Sequence, residues 1–209
     1  MKDLLNRHMA YVFGTEITVL TLILCAVGFT AMVYRGRRLN HRVGFKHYLL
    51  SGAFALFLAS ILAFTLTPID VQSDYCTSGL YYPRFGLGWS WQEAWEQSSS
   101  AGFPQVFLTR NFAQLFFNIA LFIPLGFFTA GCLKWDLLKT AIAGFTLSAF
   151  IELSQLTGNW GIAGCAYRTF DVDDLLNNTL GAVVGALVVY ALRSLWKALF
   201  SRSADLHSA

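Results

Sequence analysis

Apolar runs of about 20 residues recur along this chain and leave few architectures open to it. A bilayer core is about 30 Å thick, so a helix of about 20 apolar residues is long enough to cross it. Of the residues, 56% are hydrophobic and only 13% are charged, whereas soluble domains carry about 25% charged residues. The sequence therefore predicts an all-α integral membrane protein and disfavours a soluble domain.

Five apolar runs predict a bundle of five transmembrane helices. These predicted spans cover roughly residues 11–34, 47–67, 111–133, 136–156 and 173–195. A long loop, 68–110, separates the second span from the third. We expect three regions: an additional N-terminal helix with its basic loop at 1–46, a main transmembrane domain at 47–195, and a tail at 196–209.

Basic residues indicate how the bundle is oriented. The loop between the first two spans contains Arg35, Arg37, Arg38, Arg42 and Lys46. Cytoplasmic loops of membrane proteins carry an excess of Lys and Arg, so this loop is predicted to be cytoplasmic. The N-terminus and loop 68–110 then lie outside, and the C-terminus lies in the cytoplasm. The short loop after the third span and the C-terminal tail are also basic, which agrees with this orientation.

Polar side chains interrupt three of the predicted spans at a similar depth, in the outer half of the membrane. Such groups usually face the interior of a bundle, and they are the default hypothesis for a functional site. Glu152 and Gln155 share one helical face, and Asp174 and Asn178 share another. With their loop neighbours they form the candidate ligand-binding set, which is Asn118, Glu152, Gln155, Arg168, Asp171, Asp173, Asp174 and Asn178.

Each of these residues also has a structural interpretation. Asp171 is a candidate N-cap of the last span, with Asp174 three residues later in a box-like arrangement. Arg168 would form a salt bridge with one of the neighbouring aspartates, Asp171 or Asp173. Glu152 would be protonated, or would hydrogen-bond to Gln155 and Asn178 and so hold helices together.

The Asp-x-Asp-Asp pattern at 171–174 also resembles acidic motifs that hold Mg²⁺ against a pyrophosphate. None of the four histidines lies near it in sequence, so zinc chemistry and a Ser/His/Asp hydrolase are disfavoured. We expect no metal and no cofactor. No nucleic-acid-binding motif occurs, so no nucleic-acid partner is predicted.

Small residues and cysteines predict helix packing and one covalent link. Gly181 and Gly185 form a G-x-x-x-G step, which allows close approach of another helix and is a candidate oligomer contact. Pro124, followed by Gly126, is expected to kink or break the third span. Cys76 and Cys165 both lie on the predicted outside, where disulfides persist, and we expect them to pair.

The outer loop contains three tryptophans, Trp89, Trp91 and Trp95. The last two fall on one helical face. Two interpretations remain open: an aromatic belt resting at the membrane interface, and a lid that contacts a ligand.

Three blocks of sequence resemble the VanZ family of small bacterial membrane proteins. They are Asn118-Ile-Ala-Leu-Phe-Ile-Pro-Leu-Gly126-Phe, Ile151-Glu-Leu-Ser-Gln155, and the segment from Arg168 to Gly185. The resemblance covers roughly residues 48–192, which makes 47–195 a VanZ-like domain. It implies a multi-pass protein of the bacterial cell membrane, in a family whose founding member is linked to resistance to teicoplanin, a lipoglycopeptide.

Three functional hypotheses follow. The first is a non-enzymatic envelope protein whose polar residues bind membrane lipids, a lipid-linked cell-wall precursor or a lipoglycopeptide at the outer leaflet. The second is a membrane enzyme that acts on a lipid-linked phosphate with Mg²⁺. The third is a structural subunit that packs on a partner through Gly181 and Gly185.

Overall fold

A computed structural model of the chain describes residues 23, 26–28, 30, 45–66, 82–98, 102, 105–161, 166 and 168–206. Within these residues the regular structure is helical, and extended segments pair only at an isolated parallel bridge between Arg84 and Asp171. The all-α prediction is confirmed for this part of the chain. The chain divides into two compact units, residues 1–69 and 70–209.

The first unit contains helix α1, Phe45–Leu66, which corresponds to the second predicted span. Its segment Leu49–Leu66 is long and apolar enough to cross a membrane. Of the first predicted span, residues 23, 26–28 and 30 are helical, and the remainder lies outside the described residues.

The described residues of the second unit form four helices and one 3-10 turn. They are α2, Trp89–Ser98; the turn, Gln105–Leu108; α3, Arg110–Gly131; α4, Leu137–Leu156; and α5, Val172–Leu206. The helices α3, α4 and α5 have the length and composition of membrane spans. With α1, the described residues therefore contain four candidate spans, and the fifth span and the orientation of the termini stay predictions.

Helices α3 and α5 approach each other closely because glycines line their contact. A Cβ atom built on Gly181 would lie 2.0 Å from the carbonyl oxygen of Ile119, and one built on Gly185 would lie 2.1 Å from that of Ile123. From the other side, Gly126 faces the backbone of α5. The G-x-x-x-G face is thus occupied by α3 of the same chain, and an oligomer through these glycines stays a prediction.

Helix α3 continues through Pro124 from Arg110 to Gly131. The alternative of a break at this proline is therefore wrong, whereas a kink stays a prediction. Proline lacks an N–H and removes one backbone hydrogen bond from a helix, but the surrounding turns are maintained. An intact α3 keeps Asn118 and Gly126 on one continuous helix that packs along α5.

At one end of the bundle, which we call the opposite end, polar groups bond to a neighbouring helix or to the connection between helices. The hydroxyl groups of Thr129 on α3 and Thr140 on α4 lie 3.0 Å apart. Tyr190 donates its phenolic hydrogen to the carbonyl of Trp135 at 2.7 Å, and Arg193 donates to the carbonyl of Gly131 at 2.8 Å. These bonds tie α5 to the end of α3 and to the short connection before α4.

Candidate functional site

At the other end of the bundle, the three membrane helices bring their polar side chains together. The amide nitrogen of Asn118 on α3 donates to the carboxylate of Asp174 on α5. Asn178, one turn further along α5, donates to the hydroxyl of Ser148 on α4 at 2.8 Å. Polar groups from three helices therefore lie at one level, as their positions in the sequence predict.

Glu152 links α4 to the start of α5. Only 3% of its surface is exposed, and its carboxylate accepts a hydrogen bond from the backbone N–H of Asp171 at 3.1 Å. The alternative in which Glu152 bonds to Asn178 is wrong, because the amide nitrogen of Asn178 bonds to Ser148 instead. A buried carboxylate is costly without partners, so this bond holds the carboxyl group and the chain entering α5 in one position.

Asp171 caps α5. Its Oδ1 accepts from the backbone N–H of Asp173 at 2.9 Å, which satisfies one of the N–H groups that the first turn of a helix leaves without a partner. Its other carboxylate oxygen accepts from the hydroxyl of Ser90 on α2. The N-cap interpretation of Asp171 is therefore confirmed, and the same carboxylate also holds the outer-loop helix.

Asp173 caps a different helix from the one it belongs to. Its Oδ1 accepts from the backbone N–H of Gly88 at 2.7 Å, and its Oδ2 accepts from the backbone N–H of Ser90 at 2.8 Å. Both donors lie at the N-terminus of α2, where backbone N–H groups have no partner within the helix. Only 2% of Asp173 is exposed. Its carboxylate thus fastens α2 to the start of α5.

The outer-loop segment before α2 reinforces this attachment. The backbone N–H of Arg84 donates to the carbonyl of Phe170 at 2.8 Å, and that of Val172 donates to the carbonyl of Arg84 at 3.1 Å. The Arg84 side chain forms an ion pair with Glu93 of α2. This segment is therefore bonded to the chain immediately before and at the start of α5.

Helix α2 turns its tryptophans toward α3. Trp91 packs edge-on against Phe112 and Phe116, and Trp95 packs edge-on against Phe112. The indole N–H of Trp91 also donates to the Oδ1 of Asn177 at 3.3 Å. The predicted shared face of Trp91 and Trp95 is confirmed, and one of the two rings contacts the polar residues beneath.

We call the group Asn118, Ser148, Glu152, Asp171, Asp173, Asp174, Asn177 and Asn178 the polar cluster. Two of its buried atoms have no hydrogen-bond partner among the described residues: the amide nitrogen of Asn177 and the amide oxygen of Asn178. Their residues are 4% and 5% exposed. Buried polar atoms are nearly always hydrogen-bonded, so each exception needs an explanation.

Acidic groups outnumber basic ones here. The cluster contains four carboxyl groups, and Glu152, Asp171 and Asp174 lie close enough for their charges to interact. Arg168 is half-buried, and its charge acts on Glu152 and Asp174, but it forms no ion pair with Asp171 or Asp173. The salt-bridge interpretation of Arg168 is therefore wrong, and its guanidinium is not committed to either aspartate.

Of the other predicted residues, Gln155 lies within the described part of the chain and the two cysteines do not. Gln155 is buried on α4, one turn beyond Glu152. Cys76 and Cys165 lie outside the described residues, so their pairing stays a prediction. Across the described ranges, no three His, Cys, Asp or Glu side chains are grouped so that they could hold a metal ion.

A sequence model of the VanZ/LLP1 family matches residues 18–194. The chain belongs to the VanZ/LLP1 family. The match includes all of the described cluster and the glycine contact between α3 and α5. It begins inside the first predicted span. No curated protein and no solved structure matches the chain.

Sequence reasoning missed three residues that the structure places in or against the polar cluster: Ser90, Ser148 and Asn177. Ser148 had a usable signal, because it precedes Glu152 by one helical turn and shares its face. Ser90 had none, since its partners lie more than 80 positions away along the chain. In this VanZ/LLP1 protein the segment 84–91 is therefore part of the candidate site.

Proposed function

We propose that this VanZ/LLP1 protein is a non-enzymatic binding protein of the bacterial cell membrane, and that its polar cluster takes the polar part of an amphiphile at the outer leaflet. The pair of unpartnered amide atoms on Asn177 and Asn178 carries the proposal. Polar and ionisable groups inside a membrane are expensive and usually functional. Groups that served only to join helices would be expected to satisfy each other.

The chemistry of the cluster fits a polar head group. Carboxylates and amide oxygens accept hydrogen bonds, whereas amide nitrogens and the Arg168 guanidinium donate them. Arg168 would meet a phosphate or a carboxylate, and the acids would take hydroxyl, amine or amide groups. The candidate ligands are a lipid head group, a lipid-linked cell-wall precursor and a lipoglycopeptide of the teicoplanin type.

Binding is tested with the purified protein in nanodiscs, by native mass spectrometry after exposure to bacterial lipids and to teicoplanin. The wild type is compared with a Glu152→Gln/Asp174→Asn double variant. Asp136→Asn is the matched control, because it makes the same chemical change at the opposite end and asparagine also caps helices well. A ligand retained by the wild type and the control, and lost from the double variant, is the expected result.

Equal retention of every ligand by all three proteins, at equal thermal stability, would overturn the proposal. If the double variant does not fold, the single Glu152→Gln variant replaces it, since glutamine keeps an oxygen that can accept the bond from Asp171. The role in resistance is measured separately. Expression of the wild type in a susceptible bacterium should raise the teicoplanin concentration that the cells tolerate, and the double variant should not.

A further inference from the structure

Helix α2 and Gly88, which precedes it, donate hydrogen bonds to the polar cluster. The backbone N–H groups of Gly88 and Ser90 donate to Asp173, the Ser90 hydroxyl donates to Asp171, and the Trp91 indole N–H donates to Asn177. All four groups donate in these bonds. The N-terminus of a helix also carries partial positive charge, so α2 presents to the acids what a cationic, donor-rich molecule would present.

Helix α2 and Gly88 occupy these acceptors, so a ligand can take the same hydrogen bonds only when α2 releases them. Asp171 and Asp173 are 7% and 2% exposed. Once α2 leaves, Asp173 loses both of its backbone donors and Asp171 loses the Ser90 hydroxyl, although Asp171 keeps the N–H of Asp173. A ligand that occupies the site must therefore replace the donors that α2 withdraws.

The unpartnered amide atoms of Asn177 and Asn178 narrow the chemical class of the ligand further. The amide of Asn177 faces α2 through its oxygen, and its nitrogen is a donor without an acceptor. Asn178 offers an acceptor without a donor. A hydroxyl group both donates and accepts, so it can satisfy either atom, whereas an ammonium group satisfies only acceptors.

Among the candidate head groups, the balance of acidic and basic side chains favours a cationic one over a strongly anionic one. Four carboxyl groups face one guanidinium that is not committed to an ion pair with either neighbouring aspartate, and Arg84 is paired with Glu93. A phosphate offers acceptor oxygens and could not replace the donors that α2 gives to the carboxylates. An ammonium group would reduce the imbalance.

We infer that α2 is a built-in competitor for the polar cluster, and that the ligand it competes with is an amino alcohol or amino sugar group, which combines an ammonium with neighbouring hydroxyls. This inference rests on the proposed function and specifies its ligand class. The closed helix supplies the same donors as the ligand, so the two occupy the acids in turn. The affinity of the ligand is then reduced by the fraction of molecules in which α2 is closed.

Because α2 competes with the ligand, two substitutions in α2 should raise the affinity of the protein for the ligand. Ser90→Ala removes the hydroxyl that donates to Asp171, and Trp91→Phe removes the indole N–H while retaining a ring against Phe112 and Phe116. Both weaken the closed state without changing a carboxylate. Loss of one hydrogen bond to a charged acceptor should raise the affinity about tenfold for Ser90→Ala, and by less for Trp91→Phe, whose acceptor is neutral.

The probes are glucosamine, glucose and glucose 6-phosphate, added to the protein in nanodiscs. Binding is measured by hydrogen exchange of the backbone amides in the Gly88–Trp91 segment. The exchange rate is followed as each sugar is titrated. Glucosamine should bind most tightly, glucose more weakly and glucose 6-phosphate least. Binding should accelerate exchange of the Gly88 and Ser90 amides, because the ligand takes the carboxylate that protects them.

Three results would each overturn the inference: slower exchange on binding, a lower or unchanged affinity in both α2 variants, or tighter binding of glucose 6-phosphate than of glucosamine. Absence of binding by all three probes would overturn it too. The proposed function fails separately, when the Glu152→Gln/Asp174→Asn variant retains every ligand seen in native mass spectrometry. A ligand lost from that variant, together with slower exchange of α2, would therefore reject the competition alone.

Discussion

The two ends of the helix bundle use polar residues differently. At the opposite end, Thr129 meets Thr140, and Tyr190 and Arg193 each donate to one backbone carbonyl. The acidic residue there, Asp136, is exposed and caps its own helix. At the end that carries the polar cluster, carboxylates are buried, one of them caps a distant helix, and two amide atoms have no partner among the described residues.

This difference separates polar residues that complete the fold from those that exceed its needs. Each contact at the opposite end satisfies a helix terminus or joins two helices, and such bonds are expected in any helical bundle. The polar cluster includes contacts of the same kind, between Asn118 and Asp174 and between Ser148 and Asn178. It also buries carboxylates and contains two amide atoms without a partner among the described residues, which the proposed binding site would explain.

The largest effect is expected for the contact between α3 and α5, on which both ends of the bundle depend. Gly181→Leu places a side chain where the Cβ atom alone would meet the backbone oxygen of Ile119 at 2.0 Å. Helices α3 and α5 must then separate, and overpacking of this kind costs about 3 kcal/mol. Thermal unfolding in detergent should show a large loss of stability, and ligand binding should be lost with it because Asn118 and Asp174 move apart.

The control for this prediction is Gly52→Ala in α1, where a Cβ atom would meet nothing within 4 Å. Alanine is the better helix former, so this variant should be neutral or stabilised by up to about 1 kcal/mol. Equal stability of the two variants would show that the close approach of α3 and α5 is not needed for the fold.

A smaller effect is expected at the attachment of α2. Asp173→Ala removes the acceptor of the Gly88 and Ser90 backbone N–H groups, and losing a capping carboxylate costs about 1–2 kcal/mol. The cost should be confined to α2, because α5 keeps its own cap at Asp171. Hydrogen exchange should accelerate in residues 88–91 and remain unchanged in α4. Acceleration throughout the bundle would show that α2 does not move independently.

Hydrophobic length predicted the spans well. The expected spans 111–133 and 136–156 correspond to Arg110–Gly131 and Leu137–Leu156, because a bilayer-length apolar run satisfies its backbone best as a helix. The end of α5 was missed: the helix continues to Leu206, beyond the predicted limit of 195. Its exposed residues Leu192, Leu195, Trp196 and Leu199 keep helical spacing after the continuous apolar run has ended.

The sequence predicted that the polar side chains lie at one level of the bundle. It predicted less well which hydrogen bonds each side chain forms. Asn118 and Asp174 could be expected to meet, because helix length fixes the depth of each residue. The task of Asp173 could not be predicted, since it caps a helix through the backbone of Gly88, which lies 85 positions earlier in the chain. Local patterns identify caps within one helix, whereas a cap supplied by another segment depends on the tertiary structure.

The smallest expected effect is at Asp136, the cap of α4. Hydrogen bonds from the Lys139 side chain and backbone lower the pKa of Asp136 below its usual range. A lowered pKa in the folded state stabilises the protein above the ordinary aspartate pKa of about 3.9, and this contribution is lost as the pH falls through the lowered value. Asp136→Ala should therefore reduce stability slightly at neutral pH, and the difference from the wild type should shrink below pH 3.9 or so.

Asp136→Asn tests the cause of that pH dependence. Asparagine retains the capping oxygen but does not titrate, so its stability should lack the loss that the wild type shows on acidification. Unfolding midpoints measured across the acidic range compare the three proteins. A gap between the wild type and Asp136→Ala that persists in acid would mean that the cap acts without its charge. The two ends would then differ only in how deeply their acidic residues are buried. The opposite end could no longer serve as the reference for the acidic residues of the polar cluster.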